Sequence, residues 1–128
     1  MQERRLFPRY PWERAVELCG AQGRCYTARA SDISVAGIGL SLSRDAVTSL
    51  AQGGGSLLGP GDHLIVLMKA DSAHALPMDL RLHCRVKEVR RVSRDSYVAG
   101  TWFEKLDPAV ERTLGDMVEA ARKARWGD

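Results

Sequence analysis

The chain has 128 residues, 45% of them apolar and 27% charged, with a formal net charge of +3. That is the length of one domain with room for a real core, and the mild basicity suits an anionic ligand while falling short of general nucleic-acid binding. No apolar run is long enough to span a bilayer, and the charged N-terminus lacks a signal-peptide core, so membrane insertion is not expected and the cytoplasm is the default address.

Residues 1–9 show neither helical nor strand periodicity. Pro8 and Pro11 bracket Arg9 and disfavour a continuous helix. The segment reads as an extended, mobile arm that carries arginines to a partner and orders on binding. Phe7 and Tyr10 are its candidate anchors to the body of the protein. Trp12 to Leu18 reads as a first strand, and the two glycines of Gly20-Ala21-Gln22-Gly23 mark a hairpin turn. Arg24 to Ile33 is the second strand, with Tyr26, Ala28 and Ala30 on one face and Thr27, Arg29 and Ser31 on the other. In the third strand Ile38, Leu40 and Leu42 alternate with Gly39, Ser41 and Ser43, the period-two mark of a half-buried strand.

Arg44 to Ala51 is a short helix capped by Ser43, with Val47 and Leu50 facing inward. Gln52 to Ser56 is a glycine-rich loop. It is no phosphate loop, because no Gly-Lys-Ser/Thr follows and no dinucleotide fingerprint is present. Leu64 to Met68 is a buried strand, and Ala70 to Pro77 reads as loop. Leu80, Leu82, Cys84 and Val86 then alternate with Arg81, His83, Arg85 and Lys87, giving one apolar and one basic face. The basic face is expected to be solvated. Val89 and Val92 break the phase, so a bulge or turn belongs near Glu88–Arg91. Tyr97 to Phe103 is the last strand, with Gly100 marking a bulge or close approach and Trp102 expected in the core. Asp107-Pro108 starts a helix as N-cap and first-turn proline. Val110, Leu114, Met117, Val118 and Ala121 form its apolar face, which is expected to pack on the domain.

Cys19, Cys25 and Cys84 form no CxxC pair, and an odd count in such a chain argues against a disulfide framework. With three scattered histidines they are too few for a metal site. His63, His74 and His83 have no nucleophile or carboxylate partner at motif spacing, so an enzyme is the least expected class, and neither a catalytic residue nor a cofactor is assigned.

Two stretches carry the chemistry. Asp32-Ile33-Ser34-Val35-Ala36-Gly37 joins the second and third strands. Asp and Ser favour turns by bonding nearby backbone N–H groups, and glycine allows positive φ or a close approach. Arg5 and Arg9 form an RxxxR pattern on the arm, and Asp32, Ser34 and Gly37 form DxSxxG some two dozen residues later. In this order and spacing, ahead of an all-β chain, the pair resembles the PilZ domain, a bacterial receptor family for the second messenger cyclic di-GMP. The resemblance runs through Phe103. It implies a mainly β fold, an antiparallel six-stranded β-barrel with a short helix and a C-terminal amphipathic helix. The arm would then span 1–11, the barrel 12–106 and the helix 107–128.

The resemblance also implies roles. Arg5 and Arg9 clamp the ligand as the arm folds over the barrel. Asp32 and Ser34 meet guanine and backbone groups, and Gly37 keeps the ledge open. Arg4, just before RxxxR, stacks on or bonds a second, intercalated ligand molecule, so cyclic di-GMP is expected to bind as a dimer. The chemistry is coherent: a guanidinium fork matches the O6 and N7 edge of guanine or a phosphate, which lysine does not, and a carboxylate suits the guanine N1 and N2 donors. Binding would pass a conformational change to a protein effector or tethered domain. The alternative is a PilZ-like protein-interaction adaptor that binds no nucleotide. DNA or RNA is not expected as a partner, because two Phe, three Tyr and three Trp lie scattered singly and offer no stacking platform.

Overall fold

A computed structural model describes residues 7–20, 22–52 and 57–126. Period-two patterning becomes six antiparallel strands: β1 (Tyr10–Cys19), β2 (Cys25–Ile33), β3 (Ile38–Ser43), β4 (His63–Met68), β5 (Leu80–Ser93) and β6 (Ser96–Glu104). They close into a barrel in the order β1-β2-β3-β6-β5-β4. Closure leaves no long free edge, which solves the edge problem of a small sheet. The inward residues are those that the alternation picks out. Leu18, Ile33, Ile38, Leu40, Val66, Leu82 and Ala99 are essentially inaccessible to solvent. Burying one such leucine contributes about 1.5–3 kcal/mol, so the core is the main source of stability.

Helix α1 (Arg44–Ser49) starts where Ser43 was expected to cap it, its hydroxyl accepting from the Ala46 N–H at 3.1 Å. Val47 and Leu50 point into the core. Helix α2 (Pro108–Trp126) is capped by Asp107, whose carboxylate accepts from the Val110 N–H at 2.9 Å. Its Leu114, Met117, Val118 and Ala121 are buried, so the apolar face covers the protein's own core. The segment read as loop between β4 and β5 holds a single 3-10 turn, Ser72–His74, closed by an Asp71–Leu76 bridge.

Four expectations change. The first strand begins at Tyr10, inside the segment read as arm, because Tyr10 and Pro11 pair with Ile33 and Asp32. Trp102 is not core: it is 36% exposed, with the Lys87 ammonium 4.5 Å from its ring centroid. Strand alternation explains this, since Ala99 and Thr101 take the inner positions and Gly100 and Trp102 the outer face. Two histidines do have carboxylate partners. The Nδ1 of His63 lies 3.1 Å from Glu104 Oε1, and His74 meets Asp71 while its Nε2 lies 2.9 Å from the Glu13 carbonyl. The His74 hydrogen bond holds the Asp71 carboxyl below its ordinary range. Through these contacts His74 ties the 3-10 turn to β1.

The fourth change concerns the cysteines. Cys19 and Cys25 form a disulfide. The reason is register: the β1–β2 ladder pairs Cys19 with Cys25, leaving their Cα atoms 4.1 Å apart across the hairpin. Cys84 remains a buried thiol, and loss of solvation pushes its pKa up to about 12, only partly opposed by a hydrogen bond with Thr101. Thiol titration without reductant is therefore expected to find no reactive group in the native protein and one after denaturation. With reductant and denaturant all three cysteines react. A thiol that reacts in the native state would contradict the burial of Cys84. The same burial sets a pH dependence. The unfolded thiol ionises near its ordinary 9.0 and the folded one only near 12, so this contribution is complete below pH 9.0 and is lost as pH rises toward 12.

Candidate functional site

The DxSxxG stretch closes the β2–β3 connection, and each of its three named residues does something different. Ser34 is buried at 2% exposure. Its hydroxyl oxygen accepts from the Ala36 and Gly37 N–H groups, each at 3.1 Å, and its own N–H donates to the Gly37 carbonyl at 2.9 Å. The hydroxyl also faces that carbonyl at 3.4 Å. Ser34 thus spends its hydrogen bonds on the bend and shapes the site from inside.

Gly37 is needed for close approach and does not use positive φ. A Cβ there would lie 1.8 Å from the Thr101 carbonyl oxygen of β6. The bend is stitched to β6 on both sides. The Phe103 N–H donates to the Ala36 carbonyl at 2.8 Å, and the Thr101 hydroxyl donates to the Ile38 carbonyl at 2.8 Å.

Asp32 is half-buried. It sits at a register shift in the β2–β3 ladder, where Ala30 pairs with Leu40 and Asp32 with Gly39. The bulge turns its carboxylate over the face of Gly39: a Cβ on Gly39 would meet both carboxylate oxygens at 2.7 Å. Arg9 lies alongside because Pro11 pairs with Asp32 in the β1–β2 ladder. Its Nη1 donates to Asp32 Oδ1 at 3.3 Å, with the two side chains 17% and 33% exposed. Arg4 and Arg5 lie outside the described residues.

Gly39 pairs with Gly100 of β6, so two residues without side chains form the floor beside Asp32. On the far side, a register shift between Val86 and Glu88 places Glu88 opposite Gly100. Around this floor opens a cleft of about 510 Å³, whose charged lining is Arg9, Asp32, Glu88, Arg90 and, from α2, Arg125. Three cations and two carboxylates suit a ligand that is anionic and also carries hydrogen-bond donors.

Sequence reasoning therefore named Arg9 and Asp32, which the fold brings together, and Ser34 and Gly37, which build the bend behind them. It missed Gly39, Glu88, Arg90 and Arg125. The phase break at Val89 was the available signal for Glu88, since a bulge re-aims the side chain beside it. Gly100 was marked as a close-approach residue, and what approaches it is Arg9 and Glu88. Nothing local distinguishes Arg125 from an ordinary helix-terminal cation. Among the described residues no cluster is suited to a metal ion, and no helix is long and apolar enough to cross a membrane.

No family model and no curated protein sequence matches the chain. Solved structures do. The chain is similar to the PilZ domain of YcgR from Escherichia coli, determined with c-di-GMP, at a TM-score of 0.68 and 15% identity, covering 98% of this chain and 97% of that one. It is similar to the Bacillus subtilis inhibitor of motility MotI (TM-score 0.68, 12% identity, 99% of this chain and 53% of that one). It is likewise similar to MrkH of K. pneumonia in complex with c-di-GMP (TM-score 0.70, 15% identity, 99% and 57%). It thus spans nearly all of the first chain and little more than half of the other two. The closed barrel, its strand order and these likenesses agree: the chain has the fold of the PilZ domain.

Proposed function

We propose that this chain is a receptor for cyclic di-GMP, the ligand present with the YcgR and MrkH structures it resembles. The observation that carries the reading is the Arg9–Asp32 pair, set over the Gly39–Gly100 floor and backed by a bend that Ser34 and Gly37 hold in place. A guanidinium fork reads guanine or phosphate, and the two glycines make room for the Asp32, Arg9 and Glu88 side chains that line the cleft. Arg4 and Arg5 are assigned to the same ligand by motif, Arg5 as the second clamp and Arg4 as the contact to an intercalated second molecule. Ligand that bridges the arm and the barrel favours the closed arm, and this population shift changes the surface offered to an effector or tethered domain. The protein acts in this reading as a receptor and not as an enzyme. A pure adaptor role would leave the arginine, Asp and glycine arrangement without a purpose.

Calorimetric titration with cyclic di-GMP tests the proposal, with GTP and the linear guanine dinucleotide as controls. Selective binding near two ligands per chain is expected. A ratio near one removes the intercalated dimer and the role of Arg4. No binding by folded protein removes the receptor reading and leaves the adaptor.

A further inference from the structure

The geometry points to Glu88 as the residue that selects guanine in this cleft, through the N1–H and N2–H edge of the base. The inference rests on the receptor reading above and goes beyond it, because neither motif contains Glu88.

Glu88 belongs to β5, whose outer face upstream is a row of basic residues, Arg81, His83, Arg85 and Lys87. The row ends at the register shift between Val86 and Glu88. That bulge brings Glu88 opposite Gly100, and the missing side chain at Gly100 admits it. A Cβ on Gly100 would lie 3.6 Å from Glu88 Cγ and 3.7 Å from its Oε1, and 3.9 Å from Arg9 Nη1. Glu88 and Arg9 therefore converge over one glycine, and Arg9 is also engaged by Asp32.

The two carboxylates are not equivalent. Asp32 is turned onto Gly39 and engaged by Arg9. Glu88 lines the cleft and is exposed. A carboxylate facing an anionic ligand weakens binding by repulsion unless it meets donors on that ligand. The donors that a guanine carries are N1–H and the N2 amino group, on the Watson–Crick edge that adjoins the O6 and N7 edge. One base entering the cleft against these side chains would present O6 and N7 to Arg9 and the neighbouring N1 and N2 donors to Glu88. Adenine has no N1–H, and hypoxanthine lacks the 2-amino group, so neither offers both bonds.

The test is calorimetric titration of the wild-type chain and of Glu88→Ala with cyclic di-GMP and with its hypoxanthine analogue, cyclic di-IMP. Glu88 is exposed, so the variant keeps its fold. Wild type is expected to prefer cyclic di-GMP by about tenfold or more, the worth of a good pair of base contacts. Glu88→Ala should bind cyclic di-GMP about tenfold more weakly and lose the preference between the two ligands. Wild-type discrimination preserved in Glu88→Ala would overturn the inference, and so would tighter binding by the variant, which would mark Glu88 as a repulsive bystander. Wild type that binds neither ligand would overturn the receptor reading itself, a result distinct from either of these.

Discussion

Gly37→Ala is expected to lower the unfolding free energy by about 3 kcal/mol, the upper end of what overpacking costs. The added methyl would sit 1.8 Å from the Thr101 carbonyl oxygen and 2.9 Å from its carbon. Both are backbone atoms, so no side-chain rotation relieves the clash. Nor can the strands part cheaply. Gly39 and Leu40 of β3 pair with Gly100 and Ala99 of β6, and the Thr101 hydroxyl and the Phe103 N–H bond the Ile38 and Ala36 carbonyls. Relief therefore means giving up part of this seam and distorting the bend that Ser34 braces. Urea denaturation followed by tryptophan fluorescence measures the effect. Gly115→Ala is the control: its methyl meets nothing within 4 Å and lies inside α2, where alanine in place of glycine stabilises by roughly 0.8–1 kcal/mol. If Gly37→Ala unfolded at the same urea concentration as wild type, the close approach would not be what requires glycine there.

Arg9→Ala is expected to weaken cyclic di-GMP about 100-fold while leaving the fold intact. Two effects add. The fork to guanine or phosphate is lost, worth roughly 1–3 kcal/mol, and the Asp32 carboxylate is left facing an anionic ligand without its cation. The fold survives because the Arg9–Asp32 pair is partly solvated, at 17% and 33% exposure, and such pairs contribute at most about 1 kcal/mol. Arg9→Lys separates the two effects. It restores the charge without the planar fork, so it should recover only part of the affinity. Calorimetry on the three proteins decides. Equal affinity in Arg9→Ala and wild type would remove Arg9 from the site, and full recovery in Arg9→Lys would make its role charge alone.

Much of this protein could be read along the chain. The alternation at Ile38, Leu40 and Leu42 and at Leu80, Leu82, Cys84 and Val86 specifies strands with a buried face, and all seven are buried. The caps at Ser43 and Asp107 are where serine and aspartate ahead of a periodic run placed them. The phase break at Val89 and Val92, expected as a bulge or turn near Glu88–Arg91, corresponds to register shifts between Val86 and Glu88 and between Arg91 and Ser93. These features are local. A strand's period, a cap or a turn is recorded in residues a few positions apart, so the sequence by itself determined them.

What only the tertiary structure decided depends on residues far apart along the chain. Gly37 needs to be glycine because of Thr101, a residue of β6, and Gly39 because the Asp32 carboxylate is turned onto its face by a bulge. Trp102 faces out because β6 pairs with β3 in one register and not the other, and Cys19 meets Cys25 because the hairpin register sets them opposite each other. Glu88 and Arg125 enter the cleft only once β5 and α2 are packed beside it. Which residues converge on a site is fixed by strand pairing and barrel closure, and a one-residue change of register would send every outward side chain inward. That long-range constraint leaves no periodic trace in the sequence.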